Sequence, residues 1–142
     1  MDTAPANATV VTQEIRIVDA QGRVRMLLSA ANGAPEIVLM RENGAPSARM
    51  SLTPDGRPAI TLINPAAGPS AALEIDDKGA HLKFDGVGGS SSYVFLSNVG
   101  TSGLVLIDPK ATRRLSAIVT PEGEGKLEVL DATGKCSLAK PR

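Results

Sequence analysis

The chain has 142 residues, a length at which we expect a single domain. Lysine plus arginine equals aspartate plus glutamate at 15 each, and the resulting net charge of zero argues against a polyanionic partner such as nucleic acid. Cys136 is the only cysteine, which excludes a scaffold held by intrachain disulfides.

The first 13 residues carry neither the basic segment nor the apolar segment of a secretory signal, and no apolar run of membrane-spanning length follows. We therefore expect residues 1–13 to be a mobile tail and residues 14–142 to form one β-repeat domain. The same observations predict no membrane insertion and, by default, a cytoplasmic protein. Whether the natural gene carries an additional N-terminal segment is left open.

From residue 14 onward the chain repeats one short unit. Each unit has an apolar segment that ends at a turn, and these turns recur every 21 to 23 residues. They begin, in chain order, at Asp19, Arg41, Asn64, Asp85, Asp108 and Asp131. A second series of turns lies between them, with glycines at Gly33, Gly56, Gly79, Gly100 and Gly123. Two apolar segments in each of six units predict twelve short strands.

The turn sequences indicate how these strands pair. TPDGRP, DAQGR and DATGK are typical of a type I turn followed by a glycine with positive φ, which closes a β-hairpin. We therefore predict an all-β fold of six tandem hairpins in an up-and-down antiparallel meander, arranged as a barrel, a sandwich or an oligomeric prism. The alternative is a parallel β-solenoid with one unit per coil, which a constant repeat length also fits.

Alternation along the strands assigns their faces. In the first strand of each unit, one face carries aliphatic pairs that predict the core: Ile15/Ile17, Ile37/Leu39, Ile60/Leu62, Leu82/Phe84, Leu104/Leu106 and Leu127/Val129. The opposite face ends on a second apolar row, formed by Val18, Met40, Ile63, Ile107 and Leu130. Because a strand that is apolar on both faces needs cover on both, we expect this second row to be covered by closure of the sheet or by an oligomer interface.

The unit, with its D-x-x-G-[K/R] turn and its period of about 22 residues, resembles tandem hairpin repeats of many uncharacterised bacterial proteins. It is similar to MORN repeats in period and layout only, since it lacks their Tyr, Trp and Gly pattern. The resemblance covers nearly the whole chain and implies a β-hairpin array without a specific activity.

Few residues suit catalysis or metal binding. One histidine, His81, and one cysteine do not make the usual zinc ligand sets, and no G-x-S-x-G motif is present. Neither GEGK nor TGK has the spacing of a phosphate-binding loop, and we interpret the aspartates of IDDKGA as turn residues. We therefore expect no enzyme, no catalytic residues, no metal and no cofactor.

The fourth unit is the exception to an otherwise aliphatic pattern. Its Phe84, Tyr93 and Phe95 are the only aromatic residues of the chain, and they flank the loop DGVGGSSS. Alternation places Phe84 on the core face and the other two on the opposite face. Tyr93 and Phe95, with His81 nearby in sequence, are therefore the candidate binding residues.

Two functions follow from these patterns. The first is a non-enzymatic structural or self-assembly module that forms a homo-oligomer through the second apolar row. The alternative is a protein-binding or glycan-binding module that uses the aromatic residues and the Gly/Ser loop of the fourth unit.

Overall fold

The computed structural model describes residues 9–137 and consists there of β-strands and turns. The strands are β1 (Glu14–Val18), β2 (Val24–Ser29), β3 (Glu36–Met40), β4 (Pro46–Leu52), β5 (Pro58–Leu62), β6 (Ser70–Ile75), β7 (Gly79–Asp85), β8 (Ser91–Ser97), β9 (Ser102–Ile107), β10 (Arg113–Val119) and β11 (Gly125–Val129). The all-β prediction is confirmed. Across this part of the chain, no helix is long and apolar enough to span a bilayer.

All eleven strands belong to one sheet whose order follows the sequence from β1 to β11. Each pair of neighbours is antiparallel, as in Ile15 opposite Leu28 at one end and Leu115 opposite Val129 at the other. The antiparallel meander is therefore confirmed, and the parallel solenoid is excluded. In the described chain β1 and β11 lie at opposite ends of the strand order, so the sheet is open and does not close into a barrel.

The ends of the predicted domain are only partly described. Where a twelfth strand was predicted, the structure has one isolated bridge between Leu130 and Cys136 and a hydrogen bond from the Ser137 N–H to the Val129 carbonyl. Residues 138–142 lie outside the described part. So do residues 1–8 of the predicted tail, while residues 9–13 precede β1 without forming a strand.

The turns that end the first strand of each unit share a left-handed residue at one position. In the first of them the Asp19 N–H donates to the Arg23 carbonyl and the Gly22 N–H donates to the Asp19 carbonyl, both at 2.9 Å. The fourth residue of each turn has a positive φ: Gly22, Gly44, Ala67, Gly89, Ala111 and Gly134. The turns that begin at Asp19, Arg41, Asp108 and Asp131 have both closing hydrogen bonds, as expected for a type I turn followed by a left-handed residue. The fourth turn differs, since Gly88 also has a positive φ of 84°.

The fourth turn begins one residue later than predicted. Its closing hydrogen bond runs from the Gly86 N–H to the Ser90 carbonyl at 2.7 Å, whereas Asp85 still pairs with Ser91 inside the strands. The prediction that this turn starts at Asp85 is therefore wrong. Pairing extends one residue further in this hairpin because Gly86, rather than the aspartate, occupies the position of the turn's first residue.

Aspartate is the first residue of three of these turns, and its carboxylate satisfies the turn backbone. The Asp19 Oδ1 accepts from the N–H groups of Gln21 and Arg23, each at 3.0 Å. Partial loss of solvent acts to raise the pKa of Asp19, but these bonds and the Arg23 guanidinium outweigh it and lower the pKa to about 2. The carboxylates of Asp108 and Asp131 accept equivalent backbone bonds in their own turns.

The pKa values of the other two aspartates are lowered as well. For Asp108 the N–H of Thr112 is the main cause, with a further contribution from the Arg114 side chain. For Asp131 the hydroxyl of Thr133 contributes most, followed by the N–H of Lys135. These turns are therefore held by ionised carboxylates.

Because the register is in phase across the sheet, side chains line up in rows on two faces. The apolar face, defined by the rows that contain Ile15 and Ile17, is aliphatic across all eleven strands except at Phe84 and Ser92. The mixed face, which contains Glu14 and Arg16, alternates charged, polar and apolar residues. The predicted placement of the aliphatic pairs of the first strands on one face is confirmed.

The apolar face is not buried, in contrast to the predicted core. Eighteen of its large side chains are between 36% and 56% exposed: Ile15, Ile17, Ile37, Leu39, Met50, Leu52, Ile60, Leu62, Leu73, Ile75, Leu82, Phe84, Val94, Leu96, Leu104, Leu106, Val119 and Leu127. Among residues 9–137 the only buried large apolar side chains are Val38 and Val105, at 2% and 1% exposure, and both lie on the mixed face. The prediction of a core within one chain is therefore wrong, because a single open layer has nothing packed against it.

The turn geometry predicts opposite effects at two equivalent positions. In Gly22→Ala the added methyl group meets no atom within 4 Å, so only the strain of a left-handed alanine remains, and we expect a loss of about 1 kcal/mol. Ala111, which already has a φ of 58°, is the matched control, and Ala111→Gly should not destabilise the protein. Urea unfolding at a fixed protein concentration measures both changes. Equal losses in the two variants would contradict the assigned geometry.

The lowered aspartate pKa values predict sensitivity to acid. A carboxyl group whose folded pKa lies below its unfolded value of 3.8 stabilises the fold above that pH, and its contribution disappears as the pH falls towards 2. We expect the urea concentration at the midpoint of unfolding to decrease as the pH is lowered from about 4 to about 2. The decrease should be smaller in Asp19→Asn, which cannot ionise. Glu122→Gln, in an exposed turn, is the control. An identical acid profile for Asp19→Asn and the unmodified chain would refute this account.

Candidate functional site

Strand alternation on β6, β7 and β8 brings the predicted binding residues together on the mixed face. Glu74, His81 and Phe95 are cross-strand neighbours in one row, and Lys83 and Tyr93 are neighbours in the next row. The strand pairing places all five side chains on the same side of the sheet. The sequence pattern identified His81, Tyr93 and Phe95 but not Glu74 or Lys83, whose positions depend on the register between strands.

The aromatic rings lie side by side along β8. The ring centroids of Tyr93 and Phe95 are 5.7 Å apart with an angle of 49° between the planes, a tilted geometry within the favourable range for aromatic pairs. Phe84 lies on the apolar face, as predicted, and is 44% exposed. The three aromatic side chains therefore do not form one cluster.

Phe95 packs over a glycine of the neighbouring strand. Gly103 on β9 is opposite Phe95, and a Cβ atom added to Gly103 would lie 3.2 Å from the Phe95 Cε1 atom. The absence of a side chain at Gly103 thus leaves the space that the phenyl ring occupies, an arrangement in which an aromatic residue covers a strand glycine. This contact holds the ring in place.

The polar side chains beside the rings have hydrogen-bond or ion-pair partners. The Nε2 atom of His81 is 2.8 Å from the Oε1 atom of Glu74, and the Nζ atom of Lys83 is 2.9 Å from the Oδ2 atom of Asp85. The side chain of His81 is 18% exposed, and those of Glu74 and Lys83 are 38% and 39% exposed. The side chains are therefore oriented by hydrogen bonds yet remain accessible to solvent.

These residues line one groove of about 470 Å³. Its wall includes Glu74, His81, Lys83, Tyr93 and Phe95, and the turn from Asp76 to Gly79 completes it at the end of the sheet. The volume lies in the range of small-molecule sites. The Gly/Ser loop that was predicted to join the binding surface does not line this groove, because it connects β7 and β8 at the opposite ends of those strands.

The rim of the groove is fixed by contacts between two turns. The Asn98 N–H donates to the Lys78 carbonyl at 2.9 Å, and the Asn98 side-chain amide donates to the Asp77 carbonyl at 3.0 Å. The Asp76 carboxylate accepts from the N–H groups of Lys78 and Gly79; the first of these is the main reason that the pKa of Asp76 is lowered. The predicted turn role of Asp76 is confirmed.

The second apolar row lies at the turn edge of the mixed face. Met40, Ile63, Ile107 and Leu130 are half-buried, and Val18 is exposed. Their role as an oligomer interface stays a prediction, but the apolar face exposes far more aliphatic surface. Sequence alternation had found that face and assigned it to a core, since a pattern does not show whether a second layer is present.

Other candidate chemistry is limited in the described chain. No group of three or more His, Cys, Asp or Glu side chains among residues 9–137 is arranged to hold a metal ion. The single thiol, Cys136, is exposed. Lys126 of GEGK lies near the start of β11, and Lys135 of TGK directly follows the turn that begins at Asp131. No protein-family model matches the sequence, and no similar curated protein is found.

Because Phe95 packs over Gly103, we expect a side chain added at Gly103 to destabilise the fold. In Gly103→Ala the new Cβ atom would lie 2.5 Å from the Ala117 carbonyl oxygen as well as against the phenyl ring, so β9, β10 or the ring must shift. We expect a loss of about 1–3 kcal/mol in unfolding free energy. Gly125→Ala, where the added atom meets nothing within 4 Å, is the control and should be close to neutral in the same urea titration. A neutral Gly103→Ala would contradict both the close approach of the Ala117 carbonyl and the packing of Phe95.

Proposed function

We propose that this protein is a non-enzymatic structural module that assembles by covering its apolar face with the apolar face of a second copy. The observation that supports this is the position of the eighteen exposed aliphatic and aromatic side chains on that one face. Monomeric soluble proteins rarely leave so large a continuous apolar surface in water. Exposed aliphatic residues scattered over both faces would need no such explanation.

The accessible surface of the chain supports an uncovered layer. It is 10290 Å², whereas a compact monomer of 14.6 kDa exposes roughly 6,900 Å². If the residues outside 9–137 were granted the surface of a fully extended chain, roughly 1,900 Å², the remainder would still exceed the compact value by roughly 1,500 Å². A stable interface buries roughly 800 Å² on each partner. The surplus is enough for such an interface.

A second copy fits the chemistry of this face better than a dissimilar partner. The rows of this face that contain Ile15 and Ile17 have no charged residue. A charged or polar partner would therefore lose hydration there without forming ion pairs. Two antiparallel sheets with aliphatic inner faces pack about 10 Å apart and interdigitate their side chains. Two copies would thus supply the second layer that one chain lacks, as domains generally require.

Relief on the face supports interdigitation. In the row that contains Ile17, the larger side chains of Leu39, Leu62 and Phe84 alternate with the small side chains of Ala48 and Ala71. Between β3 and β7, ridges in this row therefore recur on every second strand, about 9.6 Å apart. The ridges of one copy match the depressions of another in width.

Charge placed on the apolar face should dissociate the assembly. We expect Leu62→Lys, at a side chain that is 54% exposed, to convert an oligomer into a 14.6 kDa monomer, because an ammonium group would be buried without a partner. Sedimentation equilibrium over a range of protein concentrations measures the mass.

The matched control is Thr61→Lys, one residue earlier on the opposite face of β5, which should keep the mass of the unmodified chain. Ile107→Lys tests the second apolar row in the same experiment. Dissociation by Ile107→Lys alone would move the interface to the mixed face, and a monomer for the unmodified chain at all concentrations would refute self-assembly.

A further inference from the structure

The groove on the mixed face has features of a ligand site that the assembly does not use. The side chains of Glu74, His81, Lys83, Tyr93 and Phe95 lie on the side of the sheet opposite the apolar face, so they stay open to solvent when two copies cover their apolar faces. Ala80 and Leu96, which also line the groove, belong to the apolar face. The groove also holds two of the three aromatic side chains of the chain. Aliphatic residues would serve equally well if this strand needed only cross-strand packing.

The groove is organised before any ligand binds. Gly103 receives the ring of Phe95, the bond between His81 and Glu74 orients both side chains, and the two bonds of Asn98 fix the rim. A rigid site loses less conformational entropy on binding than a mobile one. The turn and strand contacts therefore give the groove a fixed shape.

Charge balance restricts the ligand to an uncharged molecule. Acidic groups from Glu74 and Asp76 stand beside the basic groups of Lys78 and Lys83, so the groove offers no net attraction to a polyanion or a polycation. Its polar groups can instead donate to and accept from hydroxyl groups. The aromatic faces carry the partial negative charge of the ring and attract C–H groups.

The position of the groove argues against an extended peptide. Strand β7 is paired on both sides, with β6 and β8, so no free strand edge is available to bind a peptide as an added strand. A ligand here must bind through side chains. It must also present both C–H groups and hydroxyl groups, as the faces and edges of a sugar ring do.

We propose that this groove binds a neutral oligosaccharide, with sugar rings stacked on Tyr93 and Phe95 and hydroxyl groups hydrogen-bonded by Glu74, His81 and Lys83. One sugar packs against each aromatic ring, and the side chains of Glu74, His81 and Lys83 contact the edges of the sugars. Binding at this groove and assembly through the apolar face are separate properties of the same sheet.

The chain supplies its own spectroscopic probe. Tyr93 is the only tyrosine and no tryptophan is present, so intrinsic fluorescence reports on the groove alone. The full chain is applied to an array of β-glucan, mannan and chitin oligosaccharides, which are neutral, with polygalacturonate as an acidic comparison. Glycans that bind are then titrated in solution against the fluorescence of Tyr93.

We expect saturable binding of at least one neutral oligosaccharide and little binding of polygalacturonate. Phe95→Ala should lower the affinity by about tenfold, whereas Phe95→Tyr, which keeps a ring over Gly103, should retain binding if the ring itself is the contact. Because Phe95→Ala also removes packing, Glu74→Gln provides a second variant that keeps the shape of the groove and should weaken binding. Phe84→Ala, on the apolar face, is the control and should leave binding unchanged.

Binding to none of the neutral glycans overturns the proposal, as does tighter binding of polygalacturonate. Equal losses in Phe95→Ala and Phe84→Ala would also overturn it, since they would point to a general effect on folding. Sedimentation of the same samples separates the two proposals: Phe95→Ala should keep the assembled mass, so loss of sugar binding without loss of mass affects the groove alone.

Discussion

The structure depends on hairpin turns of nearly uniform geometry that keep eleven strands in phase. A slip of one residue in any turn would move every side chain of the following strand to the opposite face. Each turn that follows the first strand of a unit avoids this slip by placing a left-handed residue at its fourth position. Phase is therefore maintained across the sheet, and the aliphatic residues of successive units form continuous rows on one face.

Much of this arrangement follows from the repeat alone. The period, the glycine turns and the alternation within each strand were sufficient to predict an antiparallel meander and to separate Phe84 from Tyr93 and Phe95. Local chemistry determines these features, since a type I turn followed by a residue with positive φ closes a tight antiparallel hairpin. The later start of the fourth turn was not predicted, because aspartate is a common turn residue. Only the pairing of Asp85 with Ser91 shows that it lies in a strand.

The degree of burial could not be predicted in the same way. An alternating strand has the same sequence whether its aliphatic face meets a second layer in the same chain, a second copy or water. Val38 and Val105 illustrate the difficulty, because both are buried on the mixed face beside long or aromatic cross-strand neighbours, Arg49 and Tyr93. Large neighbours cover small apolar residues within one layer. Most of the large aliphatic side chains of the apolar face, by contrast, remain between 36% and 56% exposed although they have cross-strand neighbours.

The residues of the groove depend on a third kind of information, the register between units. Glu74, His81 and Phe95 lie on three different strands and become neighbours only through pairing. Sequence analysis identified the aromatic residues because they are rare in this chain. The charged partners resemble ordinary solvent-facing residues of the repeat, and pattern alone does not distinguish them.

The ends of the sheet bear on how copies meet. Strands β1 and β11 both have odd numbers in an antiparallel meander, so they run in the same direction. Pairing of β1 of one copy with β11 of another, with both apolar faces on the same side, would be parallel. Such pairing would interrupt the antiparallel order that the turns establish, and parallel pairs are slightly less stable per residue. The edge strands also carry charged residues, Glu14 and Arg16 on β1 and Lys126 and Glu128 on β11, which natural sheets use against edge-to-edge association. These charges disfavour lateral extension at both ends, whereas the rows of the apolar face that contain Ile15 and Ile17 carry no charged residue. In the proposed assembly, this difference between edge and face favours two layers joined through their apolar faces over an extended sheet.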